Sequence, residues 1–276
     1  MGRCVVAFAP GHISGYFRRV DGDTLNTTGS LGAGIVMSKG VKITLRKAAK
    51  NSVAVNGGNP AFLSEALDAL GVSAEAFVNA EMPIGAGFGM SGAGLLAAAA
   101  AANRLFDLGM SDKEIVSFAH CFEVEHGTGL GDAAASAAGG IDIRTAPGVD
   151  GVTERIFTDE PVFAVSLGPM TTPEIIRSPE IMQQLNEAYP KQIPKTLSEL
   201  ISASRSFAEK SGLITPNVRR VLDACDAAGI QASMTMLGEG VFACKASAQK
   251  ILGQFGSVYH FSVSKTGPVI LEDSYV

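Results

Sequence analysis

Short runs of β-branched and apolar residues open the chain. The first, Arg3 to Ala9, reads as a strand that stops at Pro10-Gly11, so that His12, Ser14 and Tyr16 fall in a loop at a strand end. Gly29 to Gly34, GSLGAG, reads as a flexible turn before alternating runs at Ile35 to Ser38, Val41 to Arg46 and Val53 to Val55, which are expected to pair as antiparallel neighbours. Asn59-Pro60 opens a helix that closes at Gly71, and Phe77 to Ala80 forms a strand. The period then changes. Leu95 to Ala102 is an apolar, alanine-rich run of high helix propensity, and after it Ser111 and Glu114 form a capping box ahead of Ile115, Phe118, Ala119 and Phe122 at helical spacing. A small-residue helix, AAASAA, is stopped by Gly139-Gly140. Ile141 and Ile143 alternate inward on the strand that follows, which puts Arg144 on the opposite face.

A composition shift near Gly148 to Thr158 divides the chain into two expected lobes, residues 1–155 and 156–276. Past it, Pro161 to Leu167 reads as a strand, and helical patterns follow at about Pro173 to Tyr189, Thr196 to Lys210 and Asn217 to Ala228. Met234 to Ala243 and Val258 to Val263 read as strands, with Ser247 to Phe255 helical between them.

Composition narrows the class. A chain of 276 residues with 46% hydrophobic and 18% charged residues can bury a large core and is globular, not disordered. Leu95 to Ala102 is far too short to cross a bilayer and no basic-then-apolar signal opens the chain, so a cytoplasmic protein with no membrane partner is expected. A net charge of −5 without a basic cluster argues against nucleic acid. Cys4, Cys121, Cys225 and Cys244 are scattered, form no CxxC and read as buried free thiols. The oligomeric state is open, a homodimer included.

The stretch between the Phe77 strand and the alanine helix carries the chemistry. Gly85, Gly87 and Gly89 let the backbone come close to a ligand, and the free N–H groups and dipole of the helix that follows make an anion site. Ser91 adds a hydroxyl where a phosphate or metal would lie. Gly87, Gly89 and Gly92 spell GxGxxG, but a dinucleotide fold needs a second strand where this chain has a second helix, and no Gly-Lys-Ser/Thr of a Walker loop occurs. An Ala/Gly helix packed closely in a core is the competing reading.

PIGAGFGMSGAG resembles the second motif of the GHMP kinases, PxxxGLGSSAA, with Pro83, Gly87, Gly89 and Ser91 in register; Phe88 stands for Leu, Met90 for the first Ser and Gly92 for Ala. PGHISGYF, GSLGAG and EVEHGTGLGD resemble the archaeal pantoate kinase branch of that superfamily, and the likeness spans nearly the whole chain. The resemblance implies an α+β GHMP kinase fold, with an N-terminal ribosomal-protein-like α/β lobe that binds the nucleotide and a C-terminal ferredoxin-like lobe. ATP and Mg²⁺ are the cofactors it implies. The reaction it implies is phosphorylation of the 4-hydroxyl of pantoate for coenzyme A synthesis; a kinase of homoserine, mevalonate or another small alcohol is the alternative, and a non-catalytic nucleotide-binding protein a third reading. On this basis Pro83, Gly85, Gly87, Phe88, Gly89, Met90, Ser91 and Gly92 would line the phosphates, and Ser91 with Glu123 would hold the metal, Glu125 being the runner-up. Asp132 would address the acceptor hydroxyl, although a helix N-cap accounts for an Asp there without any function. His12, Ser30, Arg144 and Gly238 are the acceptor-side candidates; Arg144 is either solvated or a clamp for the substrate carboxylate. Met234 to Ala243 takes the place of the third motif, with only Gly238 and Gly240 left to line the site.

Overall fold

β1 (Arg3–Val20) and β2 (Gly29–Lys47) run antiparallel over almost their whole length, from Cys4 opposite Arg46 to Val20 opposite Gly29. The computed structural model, which describes residues 2–170 and 178–275, therefore carries strand through both places where a loop was expected. Shifts of register at Pro10/His12 and at Ser14/Tyr16 absorb the proline and the glycine as bulges, so His12, Ser14 and Tyr16 lie on a strand. GSLGAG is strand as well. Gly34 serves close approach there, not flexibility, since a Cβ on it would collide with the His12 ring.

β3 (Ser52–Val55) does not join as an antiparallel neighbour. It pairs parallel with β4 (Ala74–Ala80), because the chain between them crosses over through α1 (Pro60–Ala69). That helix starts as its sequence suggests, with the Asn59 side chain accepting from the Ala61 N–H and Pro60 in the first turn.

β4 leads through the glycine-rich loop into α2 (Met90–Phe106), the central element of this half. The sheet strands β1 and β2 pack on one side of it, and α1, α3 (Asp112–His126) and α4 (Asp132–Ser136) on the other. Gly92 to Ala102 is consequently buried at every position. Alanine permits this, since only small side chains let a helix be enclosed on all sides at close range. The capping box of Ser111 and Glu114 is formed at the start of α3. β5 (Ile141–Arg144) pairs with β2 and with β6 (Val152–Ile156), a strand where the sequence suggested a boundary.

A second sheet follows from β7 (Pro161–Gly168), α5 (Pro179–Ala188), α6 (Leu197–Ser211), α7 (Pro216–Ala227), β8 (Ala232–Met234), β9 (Glu239–Ala243), α8 (Ala248–Leu252) and β10 (Val258–Ser262). Its order is β10-β7-β9-β8, antiparallel throughout, the βαββαβ arrangement of ferredoxin-like units. The helix expected from Pro173 is described from Pro179 on, its first residues lying outside the described ones. Met234 to Ala243 is a hairpin and not one strand: Thr235 N–H bonds the Gly240 carbonyl, and Leu237 takes φ 59 between them.

β11 (Val269–Tyr275), unforeseen in the sequence, returns to the first sheet and pairs antiparallel with Arg3 to Phe8 of β1. The molecule is thus α+β, with a seven-stranded and a four-stranded sheet among the described residues.

Candidate active site

Gly85, Gly87 and Gly89 take φ of 78°, 79° and 64°, a left-handed backbone that side-chain-bearing residues avoid. The resulting loop alternates. Gly85, Gly87, Gly89 and Ser91 are accessible, while Ala86, Phe88, Met90 and Gly92 point into the core. Phe88 and Met90 therefore offer a ligand only backbone. No side chain caps α2, so its first N–H groups remain available on the accessible side of the loop. Three separate elements hold the loop: His12 N–H donates to the Phe88 carbonyl at 3.1 Å, the Thr235 hydroxyl to that of Ala86 at 3.0 Å, and Met170 N–H to that of Gly85 at 3.0 Å. Gly238 also lies against it, with no room for a Cβ beside Ala86 and Gly87. Pro83, half-buried, leads into the loop.

Beside Ser91 a cavity of about 240 Å³ opens between Val55, Phe62, Leu63, Ile84 and Thr128. Two cavities of about 520 Å³ lie elsewhere, one at the C-terminal end of α2 and one along α5 and α6, and neither is lined by the glycine loop.

Of the two acidic candidates on α3, Glu123 is buried and Glu125 exposed. Glu123 sits under the first turn of α2: a Cβ on Gly92 would stand 2.8 and 3.0 Å from its carboxylate oxygens. One of these, Oε2, accepts the Ala133 N–H at 3.2 Å; the other, Oε1, is buried with no partner. Burial, reinforced by the charge of Asp132, raises its pKa well above the usual carboxylate range.

Asp132 is the first residue of α4, not its cap; that position belongs to Gly131. Its carboxylate turns instead to His12, whose Nδ1 lies 2.8 Å from Oδ1. On the far side of the ring, Nε2 lies 2.7 Å from Asp142 Oδ1. A carboxylate can only accept, so both ring nitrogens donate and the ring is an imidazolium. Burial opposes that charge, but Asp142 and Asp132 outweigh it and the His12 pKa is raised. Asp142 is driven low despite complete burial, by Arg144 and His12. Arg144 donates to Asp142 through Nη1, is 2% exposed and so is not solvated, and keeps its Nε buried without a partner. Ser30 and this Nε converge on Gly131, where a Cβ would lie 2.9 and 3.2 Å from them. Asp132 alone of the acid pair reaches the surface, its side chain being 25% exposed against 0% for Asp142.

His12, Ser30, Asp132 and Arg144 thus come together, Glu123 joins them through α4, and Gly238 stands apart against the glycine loop. Asp142 escaped notice. Its signal was present, since an acid and a base two apart on one strand share a face. Arg155, which donates to carbonyls at the end of α4, had no local signal at all.

The uncapped helix behind an alternating glycine loop, with a carboxylate under it and an aspartate beyond, defines a phosphotransferase site on an α+β scaffold. The chain belongs to the GHMP kinases, ATP-dependent enzymes whose N terminal domain model matches residues 36–140. It is 41% identical to the pantoate kinase of Methanospirillum hungatei JF-1 over 97% of this chain and 96% of that one. The pantoate kinase of Methanocaldococcus jannaschii is 32% identical over 85% of this chain and 90% of its own. A solved phosphotransferase related to the CoA biosynthesis pathway superposes with a TM-score of 0.79 at 27% identity, over 97% of this chain and 98% of that one.

Proposed function

We propose that the chain transfers the γ-phosphoryl group of ATP to the 4-hydroxyl of pantoate, giving 4-phosphopantoate for coenzyme A synthesis. The observation that carries this reading is the meeting of a partly exposed Asp132 with a buried cation, Arg144, whose Nε has no partner. A small hydroxy acid matches that pair, with its carboxylate toward Arg144 Nε and Ser30 and its hydroxyl toward Asp132. Likeness over nearly the full length of pantoate kinases supports the same acceptor.

The phosphates lie along Gly85, Gly87, Gly89 and Ser91 at the N-terminus of α2, and the base enters the apolar cavity beside Phe62 and Ile84. The orphaned Glu123 oxygen suits a hard cation. Mg²⁺ keeps water and phosphate oxygens around one or two carboxylates, so a single buried carboxylate beside a hydroxyl is enough protein for it. Glu123 and Ser91 would hold it, and bound there it neutralises charge on the transferring phosphoryl group. Asp132 accepts or orients the hydroxyl proton, and His12, 2.8 Å away, aims its carboxylate. The environment is cytoplasmic in this reading.

ATP-dependent phosphorylation over pantoate, pantothenate, homoserine and mevalonate tests the acceptor; turnover on another of these and none on pantoate overturns it. Asp132→Asn keeps size and one accepting oxygen but no charge, and is expected to lower kcat on the order of 10²-fold or more, with a fall in Tm because the buried His12 charge loses one of its two carboxylates. Wild-type kcat in that variant removes Asp132 from the mechanism.

A further inference from the structure

Between Glu123 and Asp132 the chain passes through Gly127, Thr128, Gly129, Leu130 and Gly131 and then makes a single short helix, Asp132–Ser136. Five residues of alanine-rich sequence do not hold a helix on their own. At one end Glu123 fixes this helix by accepting its Ala133 N–H at 3.2 Å. The other end is held by one side chain from a different strand. Arg155, on β6, donates through Nη1 to the carbonyls of Ala135, Ala138 and Gly139 at 2.8, 2.9 and 2.8 Å, and through Nη2 to that of Ala134 at 3.3 Å. Those of Ala134 and Ala135 are carbonyls the helix end leaves without partners, and those of Ala138 and Gly139 belong to the turn that follows it. Gly131, at the N-cap, has no side chain to cap the helix.

We infer that Arg155 is a positioning residue for phosphoryl transfer, holding α4 at the angle that presents Asp132 to the acceptor and Ala133 to Glu123. It touches neither substrate nor phosphate and works through the helix it gathers. Nη1 shares its two N–H groups among the three carbonyls that converge on it and Nη2 reaches the fourth, whereas a lysine has no second nitrogen for the Ala134 carbonyl and its ammonium ends one bond short of the guanidinium's outer nitrogens. The helix then tilts about the Glu123 contact, and a shift of even about 1 Å at the reacting group can cost on the order of 10²-fold. β6 pairs only with β5 among the described residues, and β5 carries Asp142 and Arg144, so Arg155 also ties the helix to the strand that holds the rest of the charge cluster.

The inference rests on the assignment of Asp132 to the transfer, and the test separates the two. Steady-state kinetics with ATP and pantoate on Arg155→Lys should give kcat lower by roughly 10-fold to 10²-fold with KM for ATP nearly unchanged, because none of the Arg155 hydrogen bonds reaches the glycine loop or the cavity beside it. The same substitution placed on Asp132→Asn should lower kcat by little more than Asp132→Asn alone, since the residue being positioned is already disabled. Arg155→Ala provides a second route: millimolar guanidinium should restore part of its kcat, as a planar cation can re-enter the carbonyl cradle. Wild-type kcat in Arg155→Lys with only a lower Tm, full additivity in the double variant, or no response of Arg155→Ala to guanidinium would each overturn the inference. If Asp132→Asn itself keeps wild-type kcat, the reading beneath it has failed instead.

Discussion

His12 is completely buried, yet it carries a charge, and the two carboxylates flanking its ring make that affordable. The sign of the resulting pH dependence follows from the direction of each shift. Because the His12 pKa is raised, its contribution is fully present below the ordinary imidazole value of about 6.5 and is lost as pH climbs through the raised value. Asp142, shifted the other way, contributes above the ordinary carboxylate value and loses that contribution only as pH falls through its lowered one. Thermal melts of the wild type should therefore show Tm declining as pH rises past about 6.5, and His12→Gln should flatten that limb. A wild-type Tm that holds level across the alkaline range would mean the ring is neutral. Arg144→Lys addresses the other end of the cluster. Lysine keeps a cation near Asp142 but has no Nε–H, so KM for pantoate should rise by about 10-fold while KM for ATP stays, which initial rates over both substrates would measure. Of this cluster, Asp132, His12 and Ser30 could be picked out as residue types beside glycines, and Arg144 from the alternation of Ile141 and Ile143. Asp142 was missed although it stands two residues from Arg144 on one strand, because the need for it shows only once β5 lies beside β2 and buries two cations together.

At the scale of elements, what was readable and what was not divide along sequence distance. α1, α2 and α3 announce themselves through Asn59-Pro60, the alanine run and the Ser111/Glu114 box, all of them features within a few residues of one another. Proline and glycine at Pro10-Gly11 and Gly29 to Gly34 misled for the same reason: locally they break strands, whereas pairing between β1 and β2 over their full length makes bulges of them. The hairpin of β8 and β9 was hidden in a run of apolar residues, and its turn turns out to be a support for the phosphate loop. Gly238→Ala tests that support. Its new Cβ meets backbone of Ala86 and Gly87, which cannot rotate away, so the loop has to move; KM for ATP should rise on the order of 10-fold with a small fall in Tm. Unchanged ATP kinetics would show that the hairpin only covers the loop.

Across the whole molecule, the described residues build two sheets joined by shared contacts, with α5 and α6 packing back on β1 and Met37 of β2 bridging to Val263 after β10. The first sheet takes its last strand from the other end of the sequence. β11 supplies Asp273, which pairs with Arg3 and Arg104 and so fastens β1 to α2. Ending the chain at Pro268 should lower Tm by on the order of 10 °C, since a ladder from Arg3 to Phe8 and these ion pairs go together. A truncated chain that melts with the wild type would show that the edge needs no partner. The arrangement also sets an order of events during synthesis. β1 is made well before β11, and its outer edge has nothing to pair with until residues 269–275 have been made. From β1 to β11 the nascent chain carries an open strand edge, and the sheet closes only when residues 269–275 arrive to pair with it.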